Sequence, residues 1–96
     1  MSVKIPTVHL NGTSGESLEE RAFSAVQAVS SAIDAMCEAG PNARDYYMQG
    51  DTAAFDAQRE HEDRVKRLKM VRDELREIWE GVRDQIEERD ARRKAR

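Results

Sequence analysis

The segment PNARDYYMQGD, residues 41–51, carries more binding chemistry than a connection between two helices requires. Its two tyrosines offer flat aromatic faces on which a base can stack, a contact worth about 1–3 kcal/mol per base. An arginine supplies a guanidinium for phosphate, and two amide side chains can hydrogen-bond to the polar edges of a base. We therefore consider a nucleotide-type site built from the following residues: Asn42, Arg44, Tyr46, Tyr47 and Gln49.

The same segment also suits a purely structural corner. One tyrosine can plug the end of a helical hairpin, and Arg44 can pair with Asp45 or Asp51. On the residues alone, this interpretation stays open beside the binding one.

A second candidate is the segment HLNGTSG, residues 9–15, which leads into a predicted helix. Gly12, Thr13, Ser14 and Gly15 lead into a helix start, where free backbone N–H groups and the helix dipole favour an anion. Asn11 beside them could read the polar edges of a base. The segment lacks the lysine of a P-loop. Plain helix capping also explains Thr13 and Ser14.

The chain offers little for catalysis. His9 and His61 are its only histidines and Cys37 is its only cysteine. The sequence shows no nucleophilic triad and no paired-carboxylate cleft, and a single cysteine cannot build a metal site. The sequence therefore predicts a protein that is not an enzyme and has no catalytic residues, metal or cofactor.

Two long helical patterns must position the candidate segments. Helix one is predicted over residues 14–39 and helix two over 51–92, each with apolar residues at spacings of three and four along one face. They are joined by the polar and aromatic loop, residues 40–50. The predicted fold is all-α, a single domain over 1–96 in which a short and a long helix form an antiparallel hairpin.

The ends of these helices carry recognisable signals. Two consecutive capping boxes, Thr13–Glu16 and Ser17–Glu20, open helix one. Gly40, followed by Pro41, is predicted to act as its C-cap glycine. Asp51 is predicted as the N-cap of helix two.

Residues 1–12 are predicted to form an extended arm. Pro6 excludes a helix there, and Asn11-Gly12 is a turn signal. A lone strand has no sheet to join, so its apolar residues must lie on the helices or on another copy. These residues are Val3, Ile5, Val8 and Leu10.

The two helices differ in length, since helix one spans about 35 Å and helix two about 60 Å. In an antiparallel hairpin, helix one is expected to cover helix two only to about residue 74. The apolar stripe beyond that point predicts cover by the arm and by a second subunit, because burying each such side chain is worth about 1.5–3 kcal/mol. We therefore expect a homo-oligomer with this interface: Leu75, Ile78, Trp79, Val82 and Ile86.

The two candidate segments lie at opposite ends of helix one, about 35 Å apart. One chain cannot bring them together. Antiparallel association of hairpins could set the arm of one subunit against the loop of its neighbour, which predicts a composite site between subunits.

Composition narrows the class of protein. The chain is 39% hydrophobic and 36% charged, which favours long helices that pair with each other. A net charge of −3 argues against general affinity for nucleic acid. Since no segment has the apolar run of a signal peptide or of a membrane span, we expect a cytoplasmic protein without membrane contact.

The segments VHLNGTSGESLEE and PNARDYYMQGD together resemble a group of small bacteriophage and prophage proteins. Those proteins open with an HLNGTS segment and carry a P-N-x-R-D-Y-Y stretch between two helices, so the resemblance covers most of the chain. It implies the cytoplasm of a bacterial host. The matching positions are Asn11, Gly12, Thr13, Asn42, Arg44, Asp45, Tyr46 and Tyr47.

In size, helicity and implied oligomerisation, the chain is also similar to phage counter-defence proteins that sequester nucleotide immune signals. Those proteins bind cyclic oligonucleotides or ADP-ribose derivatives between subunits without cleaving them. This similarity implies a nucleotide second messenger as partner. The alternative is a phage assembly accessory or an inhibitor of a host protein, acting through Trp79 and the arginines beside it.

Overall fold

The computed structural model describes residues 3–95, so the first two residues of the predicted arm lie outside that range. Helix α1 spans Gly15–Glu38 and helix α2 spans Ala53–Lys94. Two short 3₁₀ helices, Ala43–Asp45 and Tyr47–Gln49, lie between them. The predicted all-helical hairpin, with a short helix followed by a long one, is confirmed, and no strand occurs within residues 3–95.

The two helices pack along a heptad seam, in which buried and half-buried positions recur at alternating spacings of three and four. On α1 the seam consists of Gly15, Glu19, Ala22, Val26, Val29, Ile33 and Met36. On α2 it consists of His61, Val65, Leu68, Arg72, Leu75, Trp79, Val82, Ile86 and Arg89. Among the described hydrophobic side chains, only Val26, Ile33 and Val82 are buried, so the core is a single line of contacts.

Helix α1 is capped by a residue that neither predicted capping box places at its start. The Ser14 hydroxyl accepts a hydrogen bond from the Ser17 N–H at 3.2 Å. Its cap therefore lies one residue after Thr13 and three before Ser17.

The prediction that Gly40 acts as a left-handed C-cap is wrong. Helix α1 ends at Glu38, and the Ala39 N–H bonds to the carbonyls of Ala35 and Met36. Within residues 3–95, Gly50 is the only residue with a positive φ, at 121°. The left-handed position therefore lies at the far end of the loop, where the chain enters α2.

The arm runs along α2, with residues 3–9 in neither helix nor strand. Gln85 holds it through both ends of its side-chain amide: Oε1 accepts from the Val8 N–H at 2.8 Å, and Nε2 donates to the Pro6 carbonyl at 2.9 Å. The Ile5 side chain lies over Gly81, where an added Cβ would stand only 2.7 Å from Ile5 Cδ1. A glycine at this position is what permits the close approach of the arm.

Helix α1 reaches much farther along α2 than residue 74, and that prediction is wrong. Glu19 lies 3.7 Å from Arg83, and Glu16 lies 2.6 Å from Arg89. The reason is the loop, which packs beside the first turns of α2 and brings Gly40 level with His61, about ten residues beyond Asp51.

The apolar stripe of α2 is therefore not left uncovered by α1. Val82 is fully buried within the chain. The other four residues of the predicted interface are half-buried: Leu75, Ile78, Trp79 and Ile86. The geometric reason for placing a subunit interface on this stripe is lost. Neither α1 nor α2 contains an apolar stretch long enough to cross a bilayer.

Candidate functional site

The loop has a defined backbone. The Asn42 side-chain oxygen accepts a hydrogen bond from the Arg44 N–H at 3.0 Å and starts the first 3₁₀ helix. The Gln49 N–H bonds to the Tyr46 carbonyl at 3.0 Å in the second. Gly50 then turns the chain into α2 with a φ that favours glycine. The oxygen of Asn42 is thus already engaged by the backbone.

The loop and the first turns of α2 enclose a groove of about 410 Å³, which we call the loop-end groove. This volume lies in the range of about 300–1,000 Å³ that is common for small-molecule sites. Tyr46 and Gln49 line it from the loop, with Pro41 and several alanines. The structure therefore brings two of the five predicted loop residues together in one concave surface.

Arg44 and Tyr47 stand outside this groove and face solvent. Tyr47 is 71% exposed. Arg44 is exposed and forms no ion pair with any residue in the described range, neither with Asp45 nor with Asp51. The structural-corner interpretation thus holds for the half-buried Tyr46 and has no support from Arg44.

Four polar residues of α2 complete the loop-end groove, and the sequence interpretation missed them as site residues. They are Asp56, Glu60, His61 and Arg64. Glu60 and Arg64 looked like an ordinary stabilising pair on an exposed helix face, and their side chains do lie 3.9 Å apart. The useful signal was the loop itself, because a connection this long can fold back over the helix that follows it.

The arm end of the molecule holds the other predicted segment. A turn joins His9 to Gly12, with the Gly12 N–H bonded to the His9 carbonyl at 3.2 Å. The imidazole packs on Gly12 so closely that an added Cβ would stand 2.7 Å from Nε2. Gly12 and Ser14 line a groove of about 330 Å³, whereas Asn11 and Thr13 are exposed outside it.

A larger groove of about 500 Å³ adjoins this one and is lined by three arginines near the end of α2. Arg89 pairs with Glu16 at 2.6 Å and Asp90 at 3.3 Å, and Arg92 pairs with Glu88 at 3.4 Å. Arg93 lines both grooves. These arginines were not among the predicted site residues.

The Glu16–Arg89 pair carries the resolved pKa shifts of the described residues. The hydrogen bond from Arg89 lowers the pKa of Glu16 below its ordinary value of 4.5, and the charge of Arg89 acts in the same direction. The same hydrogen bond raises the pKa of Arg89. Both groups therefore stay charged at neutral pH and the pair holds the start of α1 to the end of α2.

The loop end and the arm end do not meet within one chain. Helix α1 has 24 residues and separates them by about 36 Å. The whole molecule is a rod whose principal extents are 71 × 24 × 22 Å. A site that uses both segments requires two copies of the chain.

Trp79, predicted as an interface residue, packs within the hairpin. Its ring centroid lies 5.2 Å from that of Phe23 on α1, and the Arg83 guanidinium stands 5.1 Å above it. Two neighbouring arginines share one carboxylate, since Arg72 lies 3.2 Å and Arg76 3.9 Å from Asp73. The arginines of this flank are therefore engaged by carboxylates of the same chain, with Arg83 at 3.1 Å from Glu87.

Comparison with known protein families, with curated proteins and with solved structures finds no match. Within residues 3–95, no group of three or more His, Cys, Asp or Glu side chains converges as a metal site. The candidate site therefore has to be judged on its geometry.

Proposed function

We propose that this chain is a non-enzymatic binding protein that sequesters a nucleotide-type signal at sites between subunits. The ligand class is a cyclic oligonucleotide or an ADP-ribose derivative. In the setting that the resemblance implies, the protein is encoded by a phage and removes an immune signal of its bacterial host.

The observation that carries this proposal is an ordered loop in which the Arg44 and Tyr47 side chains do not help to hold the fold. Arg44 is exposed without an ion pair in the described chain, and Tyr47 presents most of its surface to water. A loop that served only to connect helices would gain nothing from holding a cation and an aromatic face in this position. A phosphate and a base would use both.

The loop-end groove adds the remaining contacts. Tyr46 offers a half-buried ring, and Gln49 offers an amide that can donate and accept. The α2 residues Asp56 and Glu60 add carboxylate acceptors for the N–H groups of a base. The proposal includes no bond cleavage, metal or cofactor.

The alternative, a function through protein contacts, rested on Trp79 and its arginines. Trp79 packs against Phe23 inside the hairpin, and Arg72 and Arg76 are both engaged by Asp73. One observation keeps this alternative open, since Trp79 Nε1 is buried without a hydrogen-bond partner among the described residues.

The test is a calorimetric titration with a panel of cyclic oligonucleotides and ADP-ribose derivatives. For the ligand that binds, Arg44→Ala and Tyr47→Ala should each weaken affinity at least tenfold, about 1.4 kcal/mol, without changing the oligomer. The matched controls are Arg59→Ala and Phe55→Ala. These residues are likewise an arginine and an exposed aromatic residue, stand in a 5.8 Å cation–π contact with each other, and lie on α2 and not in the loop.

Two results would contradict the proposal. One is a panel in which no nucleotide binds. The other is a ligand whose affinity falls equally in the Arg59→Ala control, which would show a general effect of positive charge.

A further inference from the structure

The groove of about 500 Å³ between the arm and the end of α2, which we call the arm-end groove, concentrates positive charge in an acidic chain. Its charged lining consists of Glu88, Arg89, Arg92 and Arg93. Three positive charges against one negative charge give this lining +2, whereas the whole chain carries −3. A concave surface with charge of one sign raises the local concentration of the opposite ion. The arm-end groove therefore favours an anion.

Contacts between residues far apart in the sequence hold the walls of this groove. The Gln85 amide fixes the arm through bonds of 2.8 Å from the Val8 N–H and 2.9 Å to the Pro6 carbonyl. Arg89 is held 2.6 Å from Glu16 at the start of α1. The concave surface thus depends on the folded arm and the closed hairpin, and not only on a run of basic residues along a helix.

The side chains that line the groove offer hydrogen-bond donors with few free acceptors. The Gln85 amide is used at both ends by the arm, and Arg89 is engaged by two carboxylates. Arg93, by contrast, forms no ion pair with any residue between 3 and 95. Its five N–H groups and the hydroxyl of Thr7 face the same concave surface. A ligand that completes this set must be rich in acceptors.

The helix dipole gives a simpler reason for basic residues here, since it favours positive charge in the last turn of a helix. That reason applies equally to Arg92, Arg93 and Lys94, which all lie in the last turn of α2. The two arginines line the arm-end groove and the lysine does not. Arg93 also lines the adjoining groove at the start of α1. Lys94 therefore separates an effect of the helix end from an effect of the groove.

We propose that the arm-end groove binds a diphosphate group, held by Arg92 and Arg93 of one chain. A guanidinium presents a planar fork of donors that matches phosphate oxygens, and a diphosphate supplies both the acceptors and the negative charge that the lining lacks. The ion pair of Arg92 with Glu88 is 3.4 Å long and exposed on both sides. Such a pair contributes little to stability, so Arg92 can exchange it for a phosphate.

The source of the diphosphate rests on the proposed function. Of the two ligand classes named there, ADP-ribose derivatives contain a diphosphate, whereas cyclic oligonucleotides carry single phosphodiesters spaced around a ring. The arm-end groove therefore favours an ADP-ribose derivative. The base of that ligand would meet the loop of a second copy, because the loop of the same chain lies about 36 Å away.

Calorimetric titration of the full chain with inorganic pyrophosphate, inorganic phosphate and ADP-ribose at constant ionic strength tests the groove. Pyrophosphate should bind once per chain and at least tenfold more tightly than phosphate. Arg93→Ala should weaken pyrophosphate binding at least tenfold, whereas Lys94→Ala, in the same helical turn, should change it less than about threefold. ADP-ribose should bind more tightly than free pyrophosphate and lose affinity in Arg93→Ala as well.

A further variant separates a built groove from charge alone. Gln85→Ala keeps every arginine but removes both bonds that hold the arm. It should weaken pyrophosphate binding at least fivefold while the helical content measured by circular dichroism stays unchanged. Unchanged affinity in this variant would show that the arm builds no wall of the site.

Three results would overturn the inference. One is an absence of pyrophosphate binding. Another is an equal loss of affinity in Arg93→Ala and Lys94→Ala, which would leave the basic helix end as the cause. The third is a single-stranded oligonucleotide that binds more tightly than pyrophosphate, which would assign these arginines to a nucleic-acid backbone.

The same titrations distinguish this inference from the proposed function. Pyrophosphate binding that is lost in Arg93→Ala, in a protein that binds no nucleotide, would contradict the function and leave the groove standing. ADP-ribose binding that is lost in Arg44→Ala and unchanged in Arg93→Ala would contradict the groove and leave the function standing. We expect ADP-ribose affinity to fall in both variants, and pyrophosphate affinity to fall only in Arg93→Ala.

Discussion

Arg89 donates a hydrogen bond to Glu16 at 2.6 Å, although the two residues lie 73 positions apart in the chain. The contact joins the last turns of α2 to the first turn of α1 and closes the open end of the hairpin. It also sets a carboxylate at a helix start, where the helix dipole favours negative charge. The register of the whole hairpin can be read from this pair.

The Glu16–Arg89 contact predicts a specific dependence of stability on pH. Because the pKa of Glu16 is lowered in the folded chain, its contribution is present above the ordinary value of 4.5 and is lost as pH falls through the lower folded value. Glu16→Gln should therefore reduce the melting temperature slightly at pH 7, and the difference should shrink as pH falls below 4.5. Thermal unfolding of both proteins over a series of falling pH values is the measurement, and a difference that grows on acidification would exclude the ion pair as its cause.

The seam predicts that substitution by alanine lowers the free energy of unfolding far more at one valine of α2 than at another. Val82 is 0% exposed, so Val82→Ala should lower the free energy of unfolding by about 2–3 kcal/mol through lost burial and a residual cavity. Val71 is 45% exposed, and Val71→Ala should cost under about 1 kcal/mol. Urea unfolding of both variants measures this, and equal losses would show that Val82 is not a seam residue.

The arm depends on the missing side chain at residue 81. Gly81→Ala should push Ile5 away and expose the Val8 amide, which bonds to Gln85. We expect hydrogen exchange at Val8 to accelerate at least tenfold, although alanine stabilises a helix by about 0.8–1 kcal/mol over glycine.

Shortening the opposing side chain supplies the control. Ile5→Ala combined with Gly81→Ala should slow the exchange again, because the smaller side chain relieves the clash. If the double variant exchanges as fast as Gly81→Ala alone, the two residues do not meet.

The conformation of the loop predicts that substitution by alanine destabilises the protein at Gly50 and is tolerated at Gly40. Gly50 has a φ of 121°, and Gly50→Ala should cost about 1–3 kcal/mol of stability. Gly40 has no positive φ, and an added Cβ would meet its neighbours only at 3.6 Å or more, so Gly40→Ala should be tolerated. Thermal unfolding decides this, and a destabilised Gly40→Ala would restore the C-cap that the sequence suggested.

The apolar spacing predicted the hairpin, because residues such as Val26 and Val82 recur at the period of a helix and have one place to be buried. The register was not predictable in the same way. It depends on how Pro41 and the two 3₁₀ helices fold back over the start of α2, and no local spacing encodes that path. As a result, Leu75 and Ile78 looked uncovered, although both are half-buried in the structure.

The candidate site was predicted for the loop and missed on α2. Tyr46 and Gln49 stood out because they lie in a connection that needs neither. Asp56 and His61 did not, because charged and polar residues are ordinary on an exposed helix face. They become site residues only once the loop lies over them.

The most direct test of the central claim is native mass spectrometry of the protein purified from cells that make nucleotide immune signals. We predict an oligomer that carries additional mass in the range of a nucleotide, and an Arg44→Ala protein of the same subunit number without that mass. A clean oligomer with no adduct, unchanged by added cyclic oligonucleotides or ADP-ribose derivatives, would contradict the proposed function.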